Sequence, residues 1–247
     1  MITDILTMIW KEWKELLLQQ GGVRTGLLPM VIIPLGLLGI MLPWQMGAAW
    51  VTSPLALGIW AWLPLMLTTS LIADSFAGER ERHTLETLLA SRLPDRAILF
   101  GKMGAVMSYG WGLTMGSVLL GLVTVNLVHR QEELLLYSWP FLLGIVGVSV
   151  LGSWLAASAG ALISLRAATV RQAQQILMLS IMGLLFVPVY GLQLLPDEWR
   201  AQLTQALLTI GSPAQLIAAF FILLAALDLG LTMAAMARFQ RARLVFD

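Results

Sequence analysis

The 247 residues are 58% hydrophobic and only 12% charged, whereas a soluble domain usually carries about 25% charged residues. The chain therefore uses lipid as its main solvent, and its net charge of +1 provides no field that would attract nucleic acid. Because cysteine is absent, disulfides, cysteine nucleophiles and thiolate metal sites are excluded.

Residues 1–22 predict an amphipathic helix in the cytoplasmic membrane interface. Its apolar residues recur at steps of three and four: Ile2, Ile5, Leu6, Ile9, Trp13 and Leu17. Charged residues fill much of the other face: Asp4, Lys11, Glu12, Lys14 and Glu15. These charges interrupt the apolar run, so no signal peptide is expected here. The helix serves either as a simple anchor or also as a contact for a cytoplasmic partner.

Six apolar stretches follow, and each approaches the roughly 20 residues needed to cross ~30 Å of hydrocarbon. They are residues 26–44, 54–77, 97–125, 139–165, 174–195 and 213–237. Of the 15 Lys and Arg residues, 13 lie before span one, in or around the loop between spans two and three, after span four or after span six. The positive-inside rule then places both termini in the cytoplasm of a multi-pass cell-membrane protein. A single membrane domain, residues 1–247, is predicted.

Two further patterns belong to these spans. Tryptophans near the predicted outer boundary are typical of an aromatic belt: Trp44, Trp50, Trp139 and Trp199. Small residues recur along spans three and four, at Gly104, Ser108, Gly112 and Gly116 and at Gly144, Gly152, Ala156 and Gly160. Such stripes let helices approach closely, so they predict packing between spans.

The segment 78–94, between spans two and three, is the one long charged segment of the chain. Leu85, Leu88 and Leu89 repeat at helical spacing, and Pro94 is expected to end the helix. Charged residues are predicted to surround this leucine stripe: Glu79, Arg80, Glu81, Arg82 and Glu86. Lipid headgroups, a neighbouring span or a groove on a soluble protein would each bury the stripe.

Two acids fall within the predicted spans. Asp228 lies midway along span six, where an ionisable residue is a functional candidate by default. It is expected to contact substrate, to pair with a polar group of another span, or to be protonated. Asp74 lies near the cytoplasmic face, where pairing with a nearby cation is the favoured expectation.

Catalysis by this chain is not expected. The two histidines, His83 and His129, fall outside the predicted spans, which argues against an intramembrane serine–histidine dyad. The phosphate-binding pattern G-x-x-x-x-G-K-[ST] fails at Gly101-Lys102, because Met103 follows and Arg96 stands where the first glycine is required. No cofactor or metal is therefore expected on this chain.

The charged segment resembles the signature of the type-2 ABC exporter permeases. The resemblance is carried by Ala77-Gly78-Glu79-Arg80-Glu81-Arg82, Thr84-Leu85-Glu86-Thr87-Leu88-Leu89, Pro94, Arg96 and Gly101-Lys102. His83 stands where that family usually has glycine. The last outer loop is also similar, with Leu195-Pro196, Trp199 and Ser212-Pro213, where Ser-Pro replaces the usual Asn-Pro.

The resemblance implies a transmembrane transport subunit with a non-catalytic role. Such a subunit pairs with a second permease, here expected as a homodimer in membrane lipid, and rests on a separate cytoplasmic ATPase that binds ATP and Mg. The helix of segment 78–94 is then a coupling helix. The residues implied in ATPase coupling are Glu79, Arg80, Glu81, Arg82, Thr84, Leu85, Glu86, Leu88 and Leu89.

Other expectations remain open beside this one. By the same resemblance, segment 196–212 dips back toward the membrane, whereas its periodicity also fits a helix lying in the outer interface. The alternative functions are a partner-free channel or secondary transporter, and a membrane assembly scaffold.

Overall fold

The computed structural model describes residues 1–18, 27–84, 92–129, 134–210 and 212–239. Within these ranges the chain is helical and contains no strand. Among the described residues, four helices are long and apolar enough to cross a membrane, so the protein is an all-α membrane protein. The predicted leucine stripe, Leu85, Leu88 and Leu89, and the neighbouring Glu86 lie outside the described residues.

The helices follow the chain in this order. The first half contains α1 (Ile2–Leu18), α2 (Leu27–Gly36), a π-helical segment (Leu37–Met41), α3 (Leu42–Met46), α4 (Ala49–Thr52), α5 (Pro54–Ala73), a second π-helical segment (Asp74–Gly78) and α6 (Glu79–Glu81). The second half contains α7 (Asp95–Val128), α8 (Trp139–Ser164), α9 (Val170–Leu194), α10 (Asp197–Ile210) and α11 (Pro213–Arg238).

The four candidate spans are Ala56–Glu81, Asp95–Val128, Trp139–Ser164 and Ala214–Arg238. They coincide with predicted spans two, three, four and six. Predicted span one is helical from Leu27 to Met46 in the described residues. Predicted span five coincides with the 25-residue helix α9, which is not among the four candidate spans found in the described residues.

Helix α8 is the centre of the packing, since it contacts α5, α7, α9 and α11. Its small residues let α5 approach closely, as the sequence predicted for span four. A Cβ atom added to Gly152 would lie 3.3 Å from Leu65 Cγ, and one added to Gly160 would overlap the Ile72 side chain. The stripe of span three is only partly used for packing, because a Cβ atom added to Gly112 would have no neighbouring atom within 4 Å.

Helix α1 packs against the first turns of α7. Met8 is 1% exposed and lies over Gly101, where an added Cβ would be 2.5 Å from Met8 Cβ. The Trp13 indole N–H donates to Ser108 Oγ at 3.1 Å, and its ring meets Tyr109 edge-on. The buried face of α1 is thus fixed by contacts with α7.

Two sequence predictions about exposure are wrong. Glu12, predicted on the charged face, is only 5% exposed, because a lysine on α7 supplies its counter-charge. Trp50, predicted in the aromatic belt, is fully buried and packs edge-on against Trp60.

Candidate functional site

The charged turn, defined as residues Glu79–Arg82, lies where the extension of α5 ends at the predicted cytoplasmic side. Helix α6 closes with the His83 N–H bonded to Arg80 O at 3.1 Å and the Thr84 N–H bonded to Glu79 O at 2.9 Å. This is a Schellman ending, and His83 has the left-handed φ of 55° that it requires. Glycine adopts that backbone without a steric penalty, which explains the glycine usual at this position in the family that the segment resembles.

Glu79 begins the charged turn and points into the protein. It is 8% exposed, and its Oε1 accepts a hydrogen bond of 2.8 Å from Lys102 Nζ. Lys102, on α7, is fully buried and also donates to Glu12 Oε1 and to the Ser75 carbonyl oxygen, both at 2.9 Å. All three N–H donors of the ammonium group are therefore satisfied, and one lysine joins α1, α7 and the end of α5.

The charges around Lys102 are balanced by a second lysine. Lys11 Nζ lies 3.8 Å from Glu12 Oε1 and 3.9 Å from Glu79 Oε1, so two ammonium groups face these two carboxylates. Burial raises the pKa of Glu12, and Lys102 opposes that shift. Carboxylate oxygens of Glu12, Glu15 and Glu79 come within 4.8 Å of one another. Because the two lysines already bind them, this arrangement fits an ion-pair cluster and does not require a metal.

The next two residues of the turn reach the connection between α8 and α9. The Arg80 guanidinium donates to Leu165 O at 2.6 Å and to Ala167 O at 3.0 Å, which are carbonyl groups just beyond the end of α8. The Glu81 carboxylate accepts a bond of 3.3 Å from the N–H of Val170, the first residue of α9. A cation at a helix C-terminus and an anion at an N-terminus are both favoured by the helix dipole.

Arg82, the last residue of the turn, pairs with Asp74 at 3.0 Å and donates to Gly78 O at 3.1 Å. The expectation that Asp74 pairs with a nearby cation is met by this contact. Gly78 lies beneath the pair, and a Cβ atom there would overlap Asp74 Oδ1 and lie 2.5 Å from Arg82 Nη2. The glycine is thus needed for the ion pair to close over the helix backbone.

The structure changes the predicted arrangement of these charges. Glu79, predicted among the charges around the leucine stripe, is buried against Lys102. Thr84 is exposed, and its hydroxyl donates to Glu79 O at 3.2 Å. Contact of the charged turn with an ATPase stays a prediction.

Sequence reasoning missed Glu12 and Lys102 as members of this site. A signal existed for Lys102, which falls inside predicted span three, where a cation needs a partner. The signal for Glu12 is structural, because it lies one helical turn after Met8 on a face of α1 that only the structure shows to be buried.

Two other features lie within the helical bundle. Asp228 on α11 is fully buried, and neither of its carboxylate oxygens has a hydrogen-bond partner in the described part of the chain. A cleft of about 350 Å³ separates α5 from α9, with Trp62 on one side and Phe186, Tyr190 and Gln193 on the other. In the predicted topology this cleft lies in the outer half of the membrane.

No protein-family model and no curated protein matches the sequence. The function must therefore be argued from the charged turn, the buried lysine and the arrangement of the helices.

Proposed function

We propose that the protein is the transmembrane subunit of an ATP-driven exporter of the type-2 ABC class. In this proposal it pairs with a second copy of itself, and each copy rests on a separate cytoplasmic ATPase that binds ATP and Mg. The observation that carries the proposal is the charged turn, whose four consecutive side chains each bind a different part of the fold.

The contacts of the charged turn link segment 78–94 mechanically to the membrane helices. Segment 78–94 is tied to α1 and α7 through Glu79, to the end of α8 through Arg80, and to the start of α9 through Glu81. A push on the segment would therefore reach several helices at once. A buried ion pair such as that of Lys102 resists separation because each charge would be left uncompensated. This is the arrangement that an ATPase needs in order to move a membrane domain.

The remaining parts of the proposal rest on the sequence. They are six spans with both termini in the cytoplasm, a coupling helix within segment 78–94 that places the leucine stripe in a groove of the ATPase, and export as the direction of transport. The cleft between α5 and α9 supports a cargo contact, since its volume lies within the range of about 300–1,000 Å³ typical of ligand sites.

Co-purification tests the ATPase association. The tagged chain, isolated from the membranes of its own source cell, should carry with it a protein that has a phosphate-binding loop and hydrolyses ATP. Leu88→Glu should remove that partner, whereas Leu203→Glu, on α10 at the predicted outer side, should retain it. Unchanged association and transport in the Leu88→Glu variant would refute the coupling helix.

A second experiment tests the charged turn itself. Arg80→Gln removes the two bonds to the carbonyl groups after α8, and it should leave the ATPase bound while lowering the transport achieved per ATP hydrolysed. Arg92→Gln is the matched control, because Arg92 is an exposed arginine of the same segment. Equal transport per ATP in the two variants would contradict a transmitting role.

The alternatives make different predictions. A partner-free channel or secondary transporter would give flux in vesicles that contain this chain alone, without ATP. An assembly scaffold would bind its partner and give no flux under any condition.

A further inference from the structure

The carboxyl group of Asp228 is isolated within the helical bundle. The residue is 0% exposed, and both of its carboxylate oxygens lack a hydrogen-bond partner among the described residues. Asp228 lies ten residues before Arg238, the last residue of α11, which corresponds to about 15 Å along the helix. It therefore lies well inside the predicted span.

Two polar groups linked to the Asp228 backbone are already committed to other acceptors. The Thr232 hydroxyl donates to the backbone oxygen of Asp228 at 2.7 Å, and the Trp154 indole N–H donates to Thr232 Oγ1 at 2.9 Å. Each of these groups has a single proton to donate. Neither of them has a proton left for the Asp228 carboxylate.

No charged group in the described part of the chain compensates for an ionised Asp228. Helix α8, which packs most extensively on α11, contains no Asp, Glu, His, Lys or Arg, and neither does α5 beyond it. Along α11 itself the nearest charge is Arg238. Phe239 packs against Phe76, in the segment whose Asp74 is already paired with Arg82.

We propose that Asp228 is a proton-binding site in the membrane. An ionised carboxylate without donors or counter-charge is strongly disfavoured in such surroundings, and a proton bound to Oδ1 or Oδ2 removes the charge. The ligand is a single proton, which forms one O–H bond and is given up to water only when α8 and α11 separate. This proposal goes beyond transport driven by an ATPase and does not depend on it.

Infrared spectroscopy of the purified chain in lipid bilayers tests the proposal. At neutral pH the wild-type protein should show the carbonyl stretch of a protonated carboxyl group, with a shift in heavy water. Asp228→Asn should lose one such band per chain, whereas the matched control Glu198→Gln, at an exposed acid on α10, should keep it. If the Asn variant fails to fold, Asp228→Glu keeps a carboxyl group at this position and should move the band.

The proposal also specifies how the band responds to ions. Sodium or potassium added to the sample should leave the Asp228 band unchanged. A band that disappears when either ion is added would identify a metal-cation site and overturn the proposal. Spectra of the wild-type protein and Asp228→Asn that coincide in the carboxyl region would overturn it as well. Neither result would bear on association with an ATPase, so the two proposals fail independently.

Discussion

Replacing Lys102 by methionine tests whether the buried lysine holds α1, α7 and the charged turn together. Methionine keeps the unbranched apolar stem and its packing near the Phe76 ring, but it removes the ammonium group. Glu12 and Glu79 then lose contacts of 2.9 and 2.8 Å while they remain about 5% and 8% exposed. Removing one partner of a buried ion pair costs about 3–5 kcal/mol, because the remaining charge is left uncompensated. We expect a loss of that size.

The measurement is the free energy of unfolding in mixed micelles, followed as the fraction of denaturing detergent is raised. Lys14→Met is the matched control, since Lys14 lies on the exposed face of the same α1 helix and exposed substitutions usually change stability by less than about 0.5 kcal/mol. Adding Glu12→Gln and Glu79→Gln to Lys102→Met should recover part of the loss, because no buried charge then remains. A Lys102→Met variant as stable as Lys14→Met would refute the reasoning.

Four other substitutions are measured in the same unfolding assay. His83→Gly should stabilise the protein by about 1 kcal/mol, because glycine adopts the left-handed φ of 55° without the penalty of a Cβ atom; a destabilised variant would contradict this. Gly101→Ala should destabilise by about 1–3 kcal/mol, since its methyl group would lie 2.5 Å from Met8. Gly112→Ala, in open space, should be neutral or stabilising, and equal effects of the two alanines would argue against close packing of α1. Burial raises the pKa of Glu12 above its usual 4.5, so the folded state binds a proton more readily than the unfolded state. As the pH rises from about 4.5 through the raised pKa, the wild-type chain should therefore lose stability relative to Glu12→Gln. If the free energies of unfolding of the two proteins changed in parallel with pH, the raised pKa of Glu12 would be contradicted.

Hydropathy was enough to place most of the helices. Predicted spans three and four, residues 97–125 and 139–165, differ from the helices Asp95–Val128 and Trp139–Ser164 by three residues at most. Long apolar runs bounded by charged or turn residues leave little choice of boundary. The packing of Gly152 and Gly160 on α5 was also predictable, because small residues at fixed spacing in a membrane helix commonly let a neighbouring helix approach closely.

The ion pairs of the candidate site were not predictable in the same way. Lys102 meets a glutamate 90 residues earlier in the chain, and Arg80 meets carbonyl groups 85 and 87 residues later. Periodicity describes one helix at a time and assigns no partner across such separations. Periodicity therefore predicted that Glu12 lies on the charged, solvent-facing side of α1, which is where an acid without a partner is expected.

The π-helical segment Asp74–Gly78 determines which member of the charged turn reaches Lys102. A π-helical turn takes up one residue more than an α-helical turn, whereas each residue of an α-helix advances the direction of the side chains by about 100°. If the same residues continued as a plain α-helix, the Glu79 carboxylate would be rotated away from Lys102. The length of α5 before this segment is therefore under as strict a constraint as the identity of the charges. Deleting one residue within 74–78 would be absorbed by conversion to an α-helix, whereas the same deletion within α5 would turn the whole group of charges toward the wrong neighbours.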